Sequence, residues 1–219
     1  MFLRPWVVVG LMVLVANGCS FGLAGKVQSG RQALLTNNPD AALGYFQQAA
    51  AENPQYVYTT ALLAQSVSTY LGKTEYLTGR LPEARQTLTR SLEYNPKDDM
   101  ARLYLGLTLA RQGETQSGVK EIGAGLKGLY DWVDYTATHR LTLGFWDPNY
   151  EIRKAIQNDL QMISGKDFKL ETLIADGEWA GRQIEEEAER VLREEQRNFR
   201  NPDYWGPGRG TSIGVGFGF

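Results

Sequence analysis

Cysteine and histidine are nearly missing from this sequence, which has one of each, Cys19 and His139. A single cysteine excludes an intramolecular disulfide and any multi-cysteine zinc site. One histidine among scattered carboxylates is a thin ligand set. An excess of basic charge is lacking too, because 23 Lys and Arg face 25 Asp and Glu for a net charge of -2. A nucleic-acid surface needs clustered Lys and Arg against phosphate, so composition argues against that partner. No apolar run approaches the ~20 residues that a membrane-spanning helix requires. What is present is an ordinary 42% share of hydrophobic residues in 219, enough for one buried core or a compact domain with appendages.

The first residues run MFLRPWVVVGLMVLVANGCS. Arg4 gives a positive start, and Val7 to Ala16 is an apolar run of signal-peptide length broken only by Gly10. Ala16, Asn17, Gly18 and Cys19 follow, which resembles the bacterial lipobox. That resemblance implies cleavage before Cys19, acylation of its thiol and amine, and retention at a membrane by fatty chains, palmitate among them. Ser20, where aspartate favours the inner membrane, implies the outer membrane and a periplasmic orientation. Removal of Met1 to Gly18 takes Arg4 with it and leaves 22 basic against 25 acidic residues, a net charge of -3. The competing reading is an ordinary secretory leader with an incidental cysteine.

Two stretches align internally: NNPDAALGYFQQAAAENP and TGRLPEARQTLTRSLEYNP. Each has a small residue, a bulky one four later, a small one three later, and Asn-Pro: Ala42, Phe46, Ala49, Asn53-Pro54 and Ala84, Leu88, Ser91, Asn95-Pro96. Small side chains let two antiparallel helices approach, the large one fills the groove between them, and proline ends the helix. Leu71-Gly72 before Gly79, and Leu105-Gly106 before Gly113, occupy the matching places one helix earlier, as does Gly30. Gly118, Ile122 and Gly125 continue the pattern without a proline. This arrangement resembles the tetratricopeptide repeat over about half of the chain. Apolar stripes at Leu81, Ala84, Leu88 and Leu92, and at Val119, Ile122, Leu126, Leu129 and Val133, support helices independently. Pro54 and Pro96 lie 42 residues apart against a family unit of about 34, so a helix over Tyr58 to Tyr76 is expected to run about two turns long.

Asp147-Pro148 reads as an N-cap and first turn, followed by an apolar face of Ile152, Ala155, Ile156, Leu160 and Ile163, with Ser164-Gly165 as the stop. A further helix is expected over Ala175 to Arg200, with Ala180, Ile184, Ala188, Val191 and Phe199 inward. Its outer faces pair Glu186 with Arg190 and Glu189 with Arg193 at i,i+4 spacing, as a solvated cap would. Tyr130, Trp132, Tyr135, Phe145, Trp146 and Tyr150 form either the core that joins the last repeat to this cap or an exposed anchor cluster. Beyond Asn201 the chain is rich in turn residues. Ile213, Val215, Phe217 and Phe219 alternate with small and polar residues, as a flexible tail or as a strand added to a partner's sheet edge.

The expected organisation is all-α: a leader over 1–18, a short solenoid of about three helical hairpins over 19–135, capping helices over 136–200, and a flexible Gly/aromatic tail over 201–219. No nucleophile elbow accompanies His139, and Asp98, Asp99 and Glu185 to Glu187 read as caps and solvated faces. The function expected is non-enzymatic, with no cofactor, metal or small-molecule substrate: an adaptor binding other proteins of the bacterial envelope. The family resemblance implies a concave surface made by the first helix of each repeat, and its candidate residues here are Arg31, Lys73, Tyr76, Leu103 and Leu107. The alternatives are a structural subunit of an outer-membrane secretion, pilus or polymer-export complex that uses the tail, and, third, a cell-wall hydrolase with two distant carboxylates.

Overall fold

The computed structural model describes residues 22–138, 146–166 and 168–200, with the side chains of 198–200 excepted. Cys19, His139, Phe145, the Phe199 side chain and the tail positions Ile213, Val215, Phe217 and Phe219 lie outside the described residues. In chain order the elements are α1 (Leu23–Leu35), α2 (Pro39–Glu52), β1 (Val57–Thr60), β2 (Leu63–Ser66), α3 (Val67–Leu77), α4 (Leu81–Tyr94), α5 (Asp99–Arg111), α6 (Thr115–Thr138), α7 (Glu151–Gly165) and α8 (Leu170–Arg200). The pairs α1–α2, α3–α4 and α5–α6 are three successive helical hairpins, so the all-α solenoid expected from the sequence is the observed architecture. None of the described helices is long and apolar enough to cross a membrane.

The hairpins close through one repeated contact. Gly30, Gly72 and Gly106 each sit sixteen residues before a bulky residue of the second helix: Phe46, Leu88 and Ile122. A Cβ on Gly30 would lie 2.7 Å from the Phe46 ring, and one on Gly72 2.5 Å from Leu88 Cγ. On Gly106 it would run into the main chain around Ile122. A side chain at any of these three positions therefore forces a neighbour to move: the Phe46 ring, the Leu88 side chain or the main chain of the second helix. Successive hairpins are joined by rings: Phe46 stacks on Tyr70 at 5.1 Å, and Tyr76 meets Tyr104 edge-on at 5.6 Å.

Capping explains where the helices begin and end. Asn38 and Asp98 accept the amide hydrogens of Ala41 and Ala101 with their side-chain oxygens. After α2 and α4 the Asn-Pro pairs behave alike: Asn53 Oδ1 accepts from the Gln55 amide at 3.0 Å and Asn95 Oδ1 from Lys97 at 3.2 Å. The asparagine thus builds the turn that the following proline enforces.

Three expectations need correction. The long helix over Tyr58 to Tyr76 is not formed; β1 and β2 make an antiparallel hairpin there, paired from Val57 with Ser66 to Thr60 with Leu63. Val57-Tyr58-Thr59-Thr60 is β-branched and aromatic throughout, which favours an extended ribbon over a helix. Helix α3 begins only after Ser66, whose side chain accepts from the Thr69 amide. Second, Asp147 is not the N-cap residue of α7, which begins at Glu151. Asp147 sits four residues earlier, and its carboxylate reaches forward to the Ile152 and Arg153 amides at 3.0 and 3.1 Å. Third, the aromatic stretch divides: Trp146 is fully buried and meets Trp132 edge-on, while Tyr135 and Tyr150 are exposed.

Two apolar clusters result. The smaller joins α1, α2 and α3 through Val27, Ala42, Phe46, Ala49, Val67 and Tyr70. The larger runs from Leu63 and Tyr76 through α4, α5 and α6 into α7 and α8.

Candidate functional site

Helices α1, α3 and α5, the first of each hairpin, present one continuous face, and α8 lies along it. The apolar seam of α8 consists of Leu173, Ala180, Ile184, Ala188 and Val191, all fully buried. The inward positions read from sequence at Ala180, Ile184, Ala188 and Val191 are therefore correct. Contact is close because the seam is small. A Cβ on Gly177 would come within 3.1 Å of Leu107 and 3.4 Å of Leu103, and one on Gly181 within 2.9 Å of the Tyr104 hydroxyl.

Beside that seam runs a ladder of charge. Glu178 pairs with Arg111 and accepts the Tyr76 hydroxyl. Glu185 meets Lys73 at 2.6 Å and accepts a weaker bond from the Gln65 amide at 3.3 Å. Glu189 meets Arg31 at 2.7 Å. The three carboxylates are spaced by seven and four residues, which places them on one side of the helix over about 16 Å. Their cations come one from each first helix. Each cation also sits over an aromatic ring: Arg31 over Tyr58 at 5.4 Å, Lys73 over Tyr104 at 5.3 Å and Arg111 over Tyr76 at 4.5 Å.

Burial sets the electrostatics. Lys73 and Glu185 are 3% and 5% exposed, so this pair is screened little by solvent. Burial disfavours the Arg31 charge, but Tyr70, Glu189 and Glu185 outweigh it and hold its pKa above the usual value. Burial, then the nearby Glu185, pushes the Tyr70 phenol far up and keeps it neutral. Tyr76 is raised by burial and by its bond to Glu178.

All five groove positions read from the sequence, Arg31, Lys73, Tyr76, Leu103 and Leu107, fall on this face. All are buried in the fold, and each lies against α8. Sequence reasoning missed the other half of the contact. Glu189 crosses to Arg31 rather than pairing with Arg193, and Arg190 takes Glu187 at 2.6 Å rather than Glu186. The signal was available, because Glu178, Glu185 and Glu189 flank the Ala180–Ile184–Ala188 stripe on a single face. What hid it was the local i,i+4 pairing rule, which describes an isolated helix and not one lying on cations.

Asp98, Asp134 and Asp147 have structural partners. Asp98 caps α5 and accepts the Thr69 hydroxyl at 2.6 Å, and its carboxyl is raised by burial against those bonds. Asp134 and Asp147 both hold Arg153, at 3.0 Å each. Among the described residues no group of three or more His, Cys, Asp or Glu is placed to hold a metal ion.

The comparison with known families agrees with the hairpin geometry. The tetratricopeptide repeat model matches residues 28–90 and again residues 71–127. No curated protein and no solved structure matches the chain.

Proposed function

Because residues 28–127 carry tetratricopeptide repeats, we propose that this protein is a membrane-anchored adaptor, held by lipid on Cys19 at the outer membrane and facing the periplasm, that binds other envelope proteins to assemble or regulate a complex. A repeat of this kind is a scaffold for protein contacts and is typically non-catalytic. The observation that supports the reading most directly is the face shared by α1, α3 and α5. Three stacked hairpins hold one amphipathic helix across all of them, by a narrow apolar seam and a cation from each. The anchor is supported by the apolar run of Val7 to Ala16 ending at Gly18-Cys19.

The test is affinity capture of the full chain from solubilised membranes, with Cys19→Ala as the comparison. The wild type is expected to incorporate an alkyne-tagged fatty acid, to fractionate with outer membranes, and to bring down a discrete envelope protein. Cys19→Ala is expected to lose the label and move to the soluble fraction. An unlabelled wild-type chain overturns the anchor, and capture of nothing above the level of an unrelated lipoprotein overturns the adaptor. The tail is tested in the same preparation. Removing 211–219 leaves capture intact if the repeats do the binding and abolishes it if the tail does.

A further inference from the structure

Helix α8 joins the larger apolar cluster through a seam rich in small residues. Its seam against α5 is built from Gly177, Ala180, Gly181 and Ala188 as much as from Leu173, Ile184 and Val191. Glycine is among the weakest helix formers, so Gly177 and Gly181, one turn apart, weaken the helix there and packing against the groove offsets that cost. The remaining grip is ionic. Buried ion pairs contribute less net stability than apolar side chains of equal volume, since desolvation offsets much of their attraction. They do impose register and select for charge.

The groove, for its part, is specific in what it accepts. It offers Arg31 from α1, Lys73 from α3 and Arg111 from α5, one cation per hairpin, each backed by an aromatic ring. Between them Leu103, Tyr104 and Leu107 face Gly177 and Gly181, where a Cβ would come within 3.1 Å of Leu107 and 2.9 Å of the Tyr104 hydroxyl. A basic helix would bury like charges here, and one with a bulky side chain at the position of Gly181 would clash with Tyr104.

We propose that this groove is a receptor for acidic amphipathic helices, that α8 is its resident occupant, and that a partner helix with carboxylates spaced by seven and four residues beside a Gly/Ala seam takes the place of α8. The inference rests on the adaptor reading and names both the chemistry of the partner and the segment that competes with it.

The test uses the full chain and a fluorescent synthetic peptide with the sequence of residues 170–200, read by anisotropy. In the wild type the resident helix competes, and uptake is expected to be weak. Glu185→Gln removes the buried partner of Lys73 from the resident helix but not from the peptide, and should tighten peptide binding at least tenfold. Glu178→Gln, at the part-exposed start of the ladder, perturbs folding less and should tighten it about threefold. A peptide with glutamine at all three positions should bind neither variant. The proposal is overturned if both variants keep their circular dichroism yet take up no more peptide than the wild type, or if the neutral peptide binds as well as the acidic one. Envelope proteins captured by the same variants report separately. Partners retained without peptide uptake leave the adaptor standing and remove the helix exchange, and peptide exchange with no partner captured does the reverse.

Discussion

In the first hairpin the close approach at Gly30 is to the ring of Phe46, a side chain that can slip along its neighbour. In the third, the same approach at Gly106 is to main chain: the Ile122 amide, with the Glu121 carbonyl carbon and the Gly118 carbonyl oxygen both 2.9 Å from where a Cβ would stand. Gly72 falls between, against the Leu88 side chain with its amide behind. One sequence rule, glycine opposite a bulky residue, therefore covers contacts of graded stiffness. The stiff end lies where α5 and α6 meet, under the larger apolar cluster and beneath α8. The compliant end lies in the smaller cluster, which reaches α8 through the Arg31–Glu189 pair. Stacked repeats thus need not be equally rigid even where their signatures align.

The largest effect expected from this contrast is at Gly106. Gly106→Ala forces two helix backbones apart, with no side chain able to give way, and should cost about 3 kcal/mol. Urea unfolding followed by circular dichroism measures it. A cost below that of the same change at Gly30 would break the comparison.

The next effect lies beyond the third hairpin, in a cleft of about 680 Å³ between α7 and α8 where Asp159 faces Asp176 beside Met162 and Trp179. Burial, then the charge of Asp176, raises the Asp159 carboxyl from 3.8 to about 7. The folded state therefore holds this proton more tightly than the unfolded chain. Its contribution to stability is complete below the unfolded value and is lost as pH rises toward 7, with a slope of at most about 1.4 kcal/mol per pH unit. Relaxation of the cleft should reduce the total to on the order of 2 kcal/mol. Asp159→Asn should flatten stability between pH 4 and 7, measured by chemical unfolding at several pH values. A slope unchanged by the substitution removes Asp159 as its cause.

Much of this fold was legible because its determinants are local and repeat. Spacing alone located Gly30, Gly72 and Gly106, the Asn-Pro stops, and the inward face of α8. The resemblance to tetratricopeptide repeats placed Arg31, Lys73, Tyr76, Leu103 and Leu107 on one surface, since the first helices of stacked hairpins share a side. It did not show that α8 occupies that surface, because Lys73 and Glu185 are 112 residues apart and nothing in either segment names the other. The β-hairpin was missed for a different reason. The extra length between Pro54 and Pro96 was assigned to a longer helix, although Val57-Tyr58-Thr59-Thr60 prefers an extended chain. No turn signal marked the reversal, for the hairpin turns through Ala61 and Leu62 at φ of +44° and +74°, where Asn-Gly is the usual pair. Ala61→Asn with Leu62→Gly should therefore raise stability by about 1 kcal/mol, read as a higher melting temperature. An unchanged or lower value would mean that the exposed Leu62 side chain contributes what the strained backbone costs.

The smallest expected effect, at Gly30, separates the two ends of the solenoid most cleanly. A methyl group there meets the tip of Phe46, whose other face stacks on Tyr70 with the planes 6° apart. The ring can yield only by slipping along Tyr70, so Gly30→Ala should cost about 1 kcal/mol, less than overpacking against backbone. Because the obstacle is a side chain, it can be trimmed. In a Phe46→Leu background, Gly30→Ala should cost about 0.5 kcal/mol less than in the wild type, a coupling that a double-mutant cycle resolves. The matching cycle of Gly106→Ala with Ile122→Val should show no such relief, since Ile122 meets Gly106 through its amide nitrogen and shortening its side chain moves nothing out of the way. Relief at both sites would mean that the third hairpin is as compliant as the first. Relief at Gly30 alone locates the stiffness in the main chain.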